Sequence, residues 1–403
     1  MKFLHNIISS VKPHFEKDGK LSRFWVVFDS LETFSFTPGH VTQQGSHIRD
    51  GIDLKRTMFI VIISLVPALL FGTWNIGEQY FASIGNTDAD MIAKLTVGAV
   101  RVIPLILVSY GVGLGIEFIF AGLRGHGINE GFLVSGMLIP LIMPMDVPLW
   151  MVAVSVAFAV IIGKEVFGGT GMNIVNVALT ARAFIFFAYP KQMSGEIWIQ
   201  DVATSKASGL LVDGHTGATA LGHLAGTVGE KIDDMGNVML LFAENGMFSL
   251  HNCIIGTIPG SIGETSVIAI LFGAVLLIAT GIGSWRIMAS FLAGGLFMGL
   301  LFNLMGMNAY MTLDPVHQVV IGGFMFGMVF MATDPVTAAS TNTGKYIYGF
   351  LGGLLSIMIR VFNPAYPEGV MMAILFMNVM APLIDHYVIQ ANINRRQKRL
   401  QNI

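Results

Sequence analysis

Runs of about 20 apolar residues recur along this chain, and they restrict its fold more than any other feature. A helix of that length crosses the hydrocarbon core of a bilayer. The 403 residues are 54% hydrophobic and only 12% charged, about half the charge of a typical soluble domain. The sequence therefore predicts an all-α integral membrane protein. A net charge of −2 gives no indication of nucleic-acid binding.

We predict about ten transmembrane segments, and two of them are interrupted near their ends. One ends at Pro144, and another ends in Thr333-Asp334-Pro335. Interrupted segments often line a site instead of facing lipid. The ten segments lie roughly at 57–78, 97–122, 131–144, 147–166, 173–189, 265–283, 285–305, 316–333, 347–362 and 369–389.

The distribution of positive charge predicts the orientation, because cytoplasmic loops carry an excess of Lys and Arg. Residues 1–56 carry eight Lys and Arg, whereas residues 190–250 carry three lysines, no arginine and seven acids. We therefore expect both termini in the cytoplasm and the long polar loop on the periplasmic side. The predicted parts are a cytoplasmic amphipathic segment 1–56, a first half 57–189, a periplasmic loop 190–264, a second half 265–390 and a basic tail 391–403.

The two halves share a weak internal repeat, which predicts two groups of five helices. Transporter-like folds are commonly built from such repeats, with a site at the interface between them. At an offset of 195 residues, Ile162, Val166, Phe167, Val175 and Ala178 are identical to Ile357, Val361, Phe362, Val370 and Ala373.

A loop of small residues, Asp213-Gly214-His215-Thr216-Gly217-Ala218-Thr219, follows the fifth predicted segment. Composition alone favours an ordinary surface turn. The run also resembles the acceptor sequence of flavin transferases, in which the last threonine is esterified to the phosphate of FMN. That resemblance implies that Thr219 is the acceptor and that Asp213, Thr216, Gly217 and Ala218 are recognised by the transferase.

Several further motifs resemble the family of B subunits of the sodium-translocating NADH:quinone oxidoreductase, over nearly the whole chain. The resemblance implies a urea-transporter-like architecture, a bacterial inner-membrane location and partners in a six-subunit complex (subunits A, C, D, E and F), besides the flavin transferase. The motifs are Phe36-Thr37-Pro38-Gly39, His47-Ile48-Arg49-Asp50, Asp53-Leu54-Lys55-Arg56, the run 164–171 (KEVFGGTG), the run 258–264 (IPGSIGE), the run 330–336 (FMATDPV) and the run 363–369 (NPAYPEG).

The resemblance also implies non-covalent riboflavin near Asn173 and Asn176, and a quinone near a glycine pair in the second segment. Asn173 and Asn176 are three residues apart and so share a helix face, where capping is the structural alternative. The glycine pair reads Gly113-Leu114 here, so it is not intact, and helix packing is an equally good explanation. With Cys253 as the single cysteine, the chain alone cannot ligate an iron–sulfur cluster.

Four carboxylates are predicted in or beside the membrane, where an ionisable group needs a partner or a task. The resemblance implies that Glu117, Asp334, Asp385 and Glu264 belong to a sodium pathway, for which oxygen ligands are suitable. Each also has a structural explanation, such as a satisfied helix-end carboxylate or a helix cap. The sequence does not decide which of them contacts the ion.

Taken together, the implied activity is a redox relay that starts from NADH, passes through FMN on Thr219 and riboflavin, and reduces a quinone. Two alternatives remain. The D subunit of the Rnf ferredoxin:NAD oxidoreductase shares the flavin motif but generally lacks the N-terminal stretch that contains His47-Ile48-Arg49-Asp50. A small-solute channel or transporter would fit the repeat and the interrupted helices, but it would make the Thr219 motif accidental.

Overall fold

The structure is a computed structural model. It describes residues 10–15, isolated positions between 25 and 48, and residues 54–84, 88–124, 131–193, 218–227, 236–363, 366 and 368–401. Within these residues the secondary structure is helical and contains no strand. The predicted all-α class is confirmed.

The first half of the chain forms two very long helices followed by three shorter ones. A 3₁₀ turn, Lys12–His14, precedes them, and a second one, Glu165–Phe167, follows α4. The helices are α1 (Leu54–Ser83), α2 (Met91–Arg124), α3 (Phe132–Leu141), α4 (Leu149–Gly163) and α5 (Val177–Ala188).

Short helices connect the two halves, and the second half then repeats the arrangement of long and broken helices. The connecting helices are α6 (Pro190–Met193), α7 (Ala220–Gly226), α8 (Gly236–Leu241) and α9 (Leu250–Ile255). The second half contains α10 (Val267–Ala279), α11 (Trp285–Met305), α12 (Ala309–Thr312), α13 (Pro315–Val320), α14 (Phe324–Phe326), a π-helical turn (Gly327–Met331), α15 (Asn342–Phe362) and α16 (Val370–Gln401).

All ten predicted segments coincide with helical segments, but they differ in length. Among the described residues, six helical segments are long and apolar enough to cross a membrane. Helix α3 has ten residues and therefore rises only about 15 Å, half the thickness of a hydrocarbon core. The eighth predicted segment is divided by Ile321, Gly322 and Gly323 into α13 and the stretch from α14 to Met331. The sequence predicted the interruption of this segment at Thr333-Asp334-Pro335, and the structure adds an earlier break at residues 321–323.

The non-helical segments at membrane depth are covered by protein, which satisfies their backbone groups. Ile142 and Met143, after α3, are fully buried. The backbone N–H of Gly263, in the stretch before α10, donates to the carbonyl of Leu141 at 2.7 Å. Helix α2 packs on α4, and α4 on α5, while α11 packs on α15, and α15 on α16. Corresponding pairs of helices therefore pack together in the two halves.

The distribution of side chains is the reverse of that in a soluble protein. Charged residues such as Glu117, Lys164 and Arg182 are buried, and large apolar side chains cover the outside of the long helices. Such an apolar exterior fits a lipid environment. Together with the long apolar helices, it makes the chain a multi-pass membrane protein. Exposed apolar residues on these helices include Leu70, Val100, Leu107, Phe272, Val275, Leu304 and Phe376.

Cys253 in α9 is fully buried, and its thiol donates to the carbonyl of Phe248 at 3.4 Å. Burial raises the pKa of this thiol to about 12, so it carries almost no reactive thiolate at neutral pH. We expect a maleimide to leave Cys253 unmodified in the folded protein and to label it after denaturation. The exposed position Gln390, changed to cysteine, is the positive control. Equal labelling of the two thiols in the folded protein would contradict the buried position.

Candidate functional site

A cavity lies where the two halves meet, at the end of the bundle that holds the start of α1 and the start of α5. Its lining brings together residues that the sequence predicted separately. The riboflavin candidates Asn173 and Asn176 and the sodium candidate Asp334 line it together with Lys164.

Asn176 links the two halves through its side chain. Its Oδ1 accepts from the N–H of Leu179 at 3.2 Å and so caps α5. Its Nδ2 donates to Oδ2 of Asp334 at 3.3 Å. Asp334 also accepts from the N–H of Val336 at 3.1 Å and from the hydroxyl of Thr337 at 3.2 Å. Asn176 therefore has the capping role that was its structural alternative, whereas Asp334 stabilises a turn, because the next helix, α15, begins only at Asn342. Both residues line the cavity.

Helix α5 begins at Val177, so the expectation that Asn173 and Asn176 share a helix face was wrong. Asn173 lies in the loop before α5 and also lines the cavity. Its Nδ2 donates to the carbonyl of Val175 at 3.1 Å. The loop can turn tightly because Gly168, Gly169 and Gly171 all have positive φ values, between 90° and 118°. The glycine-rich motif after Lys164 thus shapes one wall of the cavity.

Glu117 in α2 forms a buried ion pair with Lys164, and 5% and 4% of the two side chains are exposed. A second pair lies beside it, in which Nη1 of Arg124 is 3.3 Å from Oε2 of Glu165. A buried carboxylate is unfavourable without a partner. The ion pair with Lys164 therefore explains how Glu117 can be buried in α2. Lys164 also lines the cavity, so the ion pair lies beside it.

Arg182 in α5 joins two carboxylates from the second half of the chain. Its Nη1 is 2.8 Å from Oε1 of Glu264, and its Nη2 contacts Oε1 of Glu368. The hydroxyl of Ser261 donates to Oε2 of Glu264 at 2.6 Å. Arg182 therefore forms ion pairs with two acids. Glu264 already contacts a guanidinium and a hydroxyl.

Asp385 in α16 caps the start of α15 from a neighbouring helix. Its carboxylate accepts from the backbone N–H groups of Ser340 at 2.7 Å and Thr341 at 3.0 Å, and from the hydroxyl of Thr341. These contacts hold the turn between Asp334 and α15 in place. They provide a structural role for Asp385 without any ion.

Gly113 in α2 faces the interior, where the ring of Phe132 in α3 packs on it. A Cβ at Gly113 would lie 2.0 Å from that ring, whereas Gly111 and Gly115 have open space around them. Close helix packing therefore accounts for Gly113. Leu114 beside it is partly buried and packs against the core.

Thr219 precedes α7 and caps it, since its hydroxyl accepts from the N–H of Gly222 at 3.1 Å. It is partly exposed, and Ala218 before it is nearly buried. The remaining motif residues, Asp213, Thr216 and Gly217, lie outside the described residues.

The length of helix α11 shows where Thr219 lies with respect to the cavity. The helix starts two residues after Gly283, which lines the cavity, and α12, just beyond its other end, packs on α7. Its 21 residues span about 30 Å. Thr219 and the cavity therefore lie at opposite ends of the bundle.

Arg360 in α15 is fully buried, and it is the residue that the sequence interpretation passed over. Its Nη1 donates to the carbonyl of Gln318, but its Nε and Nη2 have no hydrogen-bond partner among the described residues. An arginine inside the predicted segment 347–362 is itself a signal, because ionisable residues within the membrane are rare and usually functional.

The fold and these sites define a class: a multi-pass membrane protein with interrupted helices, buried ion pairs and a polar cavity between two halves. Comparison with known proteins makes the class specific. The profile described as "NQR2, RnfD, RnfE family" matches residues 41–394. The chain belongs to this family, and the resemblance inferred from its motifs is confirmed.

Relatives share the whole length of the chain. The B subunit of the Na(+)-translocating NADH-quinone reductase of Stutzerimonas stutzeri is 44% identical, over 97% of this chain and 98% of its own. The protein with the same name from Chromohalobacter salexigens is 42% identical, over 98% of this chain and 96% of its own. That from Ectopseudomonas mendocina is 44% identical, over 97% and 98%.

Proposed function

We propose that this chain is the B subunit of a sodium-translocating NADH:quinone reductase in a bacterial inner membrane, with both termini in the cytoplasm. The observation that carries the proposal is 44% identity, over nearly the full length of both chains, to a relative with that name. The relatives' name also implies that the chain works within a multi-subunit complex, which we propose to contain subunits A, C, D, E and F.

Within this complex we propose that Thr219 carries FMN through a phosphoester bond made by a flavin transferase. Two observations support the fit. The hydroxyl lies on a partly exposed residue, so the transferase can reach it. As an ester, the same oxygen could still accept the N–H of Gly222, because the contact uses it only as an acceptor. Asp213, Thr216, Gly217 and Ala218 complete the recognition sequence in this proposal.

The cavity is the proposed site of a non-covalent riboflavin. Asn173 and Asn176 line it, and they would supply amide groups to the dione edge of the ring. The flavins supply the electron transfer when bound. The chain's residues hold them apart, because Thr219 and the cavity lie at opposite ends of the bundle.

Asn176→Leu tests the riboflavin proposal, because it removes an amide from the cavity wall and keeps a similar volume. We expect the riboflavin released by acid from the purified complex to fall about tenfold, the equivalent of about 1.4 kcal/mol. Covalent FMN on Thr219 should stay at the wild-type level. Asn303→Leu, at an exposed amide outside the cavity, is the matched control. Full riboflavin content in Asn176→Leu would rule out its role as a contact.

Glu117, Asp334, Asp385 and Glu264 are the proposed residues of the sodium pathway. Asp334 lies in the cavity wall beside a broken segment, which supports its place in the pathway. The other three already contact Lys164, Arg182 or the start of α15, so their influence on sodium would act partly through these contacts. Gly113 and Leu114 are the proposed quinone contacts.

Assaying the purified complex tests the proposed function against both alternatives. We expect NADH to reduce a quinone, and sodium to stimulate that reduction. Reduction of NAD by ferredoxin without any quinone activity would identify the Rnf-type protein. A chain without bound flavin that conducts a small solute in vesicles would point to a transporter.

A further inference from the structure

Arg360 differs from the other buried cations of the described chain. Lys164 and Arg182 each contact a carboxylate, whereas Arg360 has no ion pair and leaves Nε and Nη2 without a hydrogen-bond partner. Its surroundings are also unsatisfied: the hydroxyl of Tyr310 and Oε1 of Gln318 have no partner within the described residues. Leaving a buried charge unpaired is unfavourable, so this position calls for a functional explanation.

Gly322 places Arg360 beside the segment that carries Thr219. This glycine lies in the break between α13 and α14 and has φ = +67°. A Cβ built on it would lie 2.4 Å from Cδ1 of Leu221 and 3.5 Å from Nη2 of Arg360. Leu221 belongs to α7, two residues beyond Thr219. The unpaired guanidinium therefore lies directly behind the helix that begins at the proposed flavin acceptor.

The two nearest acids do not neutralise Arg360 by contact. Glu264 and Glu368 are both bound to Arg182, and the carboxylate of Glu264 lies against Gly323, the next residue of the break. Charges interact over longer distances in a protein interior than in water, because the effective dielectric constant is lower. Glu264 and Glu368 offset part of the positive charge of Arg360 through space, but Nη2 of Arg360 is the charged group beside Gly322 and Leu221. We therefore expect it to favour added negative charge on a group held at α7.

We propose that Arg360 acts electrostatically on the flavin attached to Thr219. The positive charge of Arg360 stabilises the reduced ring and raises the reduction potential of the flavin. The ligand class is a planar dione that gains negative charge on reduction. This inference rests on the proposed attachment of flavin to Thr219, and the experiment separates the two ideas.

A redox titration of the intact complex, followed by flavin absorbance, tests the proposal. Dithionite supplies the electrons and the flavin accepts them, so no other redox partner is required. In Arg360→Gln we expect the equilibrium constant for one-electron reduction of the Thr219 flavin to fall at least tenfold, equivalent to 59 mV. Arg360→Lys keeps the positive charge and should lower this equilibrium constant less. Arg286→Gln, at the opposite end of the bundle, should leave it unchanged.

Gln318→Glu is a second variant, for the case that Arg360→Gln does not fold. It adds a carboxylate next to Arg360 without creating an unpaired positive charge, and it should lower the potential in the same direction. An unchanged potential in a folded variant, with the covalent flavin present, overturns the role of Arg360. A shift that persists in a Thr219→Val background also overturns it, because another flavin would then be responsible. Absence of covalent flavin from the wild-type chain overturns the proposed attachment itself.

Discussion

Thr219→Val is expected to abolish covalent flavin attachment completely. Valine has nearly the shape of threonine but lacks the oxygen that would form the phosphoester. The helix loses one cap, since Oγ no longer accepts from Gly222, at a cost of about 1 kcal/mol. A membrane protein with an extensive buried core should tolerate that loss. The measurement is fluorescence of the protein band in a denaturing gel, together with its intact mass.

Two further variants make the Thr219 experiment specific. Thr219→Ser retains a hydroxyl and a cap, so the band should remain fluorescent. Thr227→Val removes a hydroxyl at the other end of the same short helix, where it donates to the carbonyl of Leu224, and should also retain the flavin. A fluorescent band in Thr219→Val, when the transferase is co-expressed, would place the attachment elsewhere. No fluorescence in any variant, wild type included, would remove the flavoprotein proposal.

The positions of the helices could be predicted because lipid imposes a simple rule on the sequence. A span must be apolar and about 20 residues long, and α1, α2 and α11 follow that rule. The predicted bounds 285–305 match α11, whereas α2 begins at Met91 and not at residue 97. The first turns of α2 contain Lys94, which pairs with Glu78 of α1, and local hydropathy does not encode that contact.

The break at Gly322 shows a second limit of sequence reasoning. The run 316–333 is apolar except for His317, Gln318 and Thr333, so hydropathy alone does not reveal the break at residues 321–323. The structure divides it because Glu264 lies against Gly323, and Leu221 and Arg360 lie against Gly322. Those contacts come from segments far apart in sequence, and only the tertiary fold reveals that two glycines in succession are required here.

The residues of the candidate site could be predicted from the sequence, but their contact partners could not. Asn176 and Asp334 were both predicted, on separate grounds, and their hydrogen bond across the two halves could not be derived from either segment alone. Glu368 belongs to a quoted motif but was assigned no role. Its contact with Arg182 depends on how α5 and the start of α16 meet.

Arg182→Met is the change with the largest expected effect on stability. It removes the cation that both Glu264 and Glu368 contact, and it leaves two carboxylates close together, of which that of Glu264 is only 8% exposed. Breaking one buried ion pair typically destabilises a protein by about 3–5 kcal/mol. We expect at least this loss, seen as a large decrease in the temperature at which the detergent-solubilised complex aggregates.

Companion variants separate the effect of charge from the effect of packing. Lys12→Met breaks a pair with Glu32 whose two side chains are 37% and 24% exposed, so it should cost about 1 kcal/mol or less. The triple change Arg182→Met, Glu264→Gln and Glu368→Gln removes all three charges, and replacing a buried ionic group by neutral residues is often close to neutral. It should therefore recover most of the stability lost in Arg182→Met. If the triple variant were as unstable as the single one, packing of the arginine side chain, and not its charge, would be what holds the two halves together here.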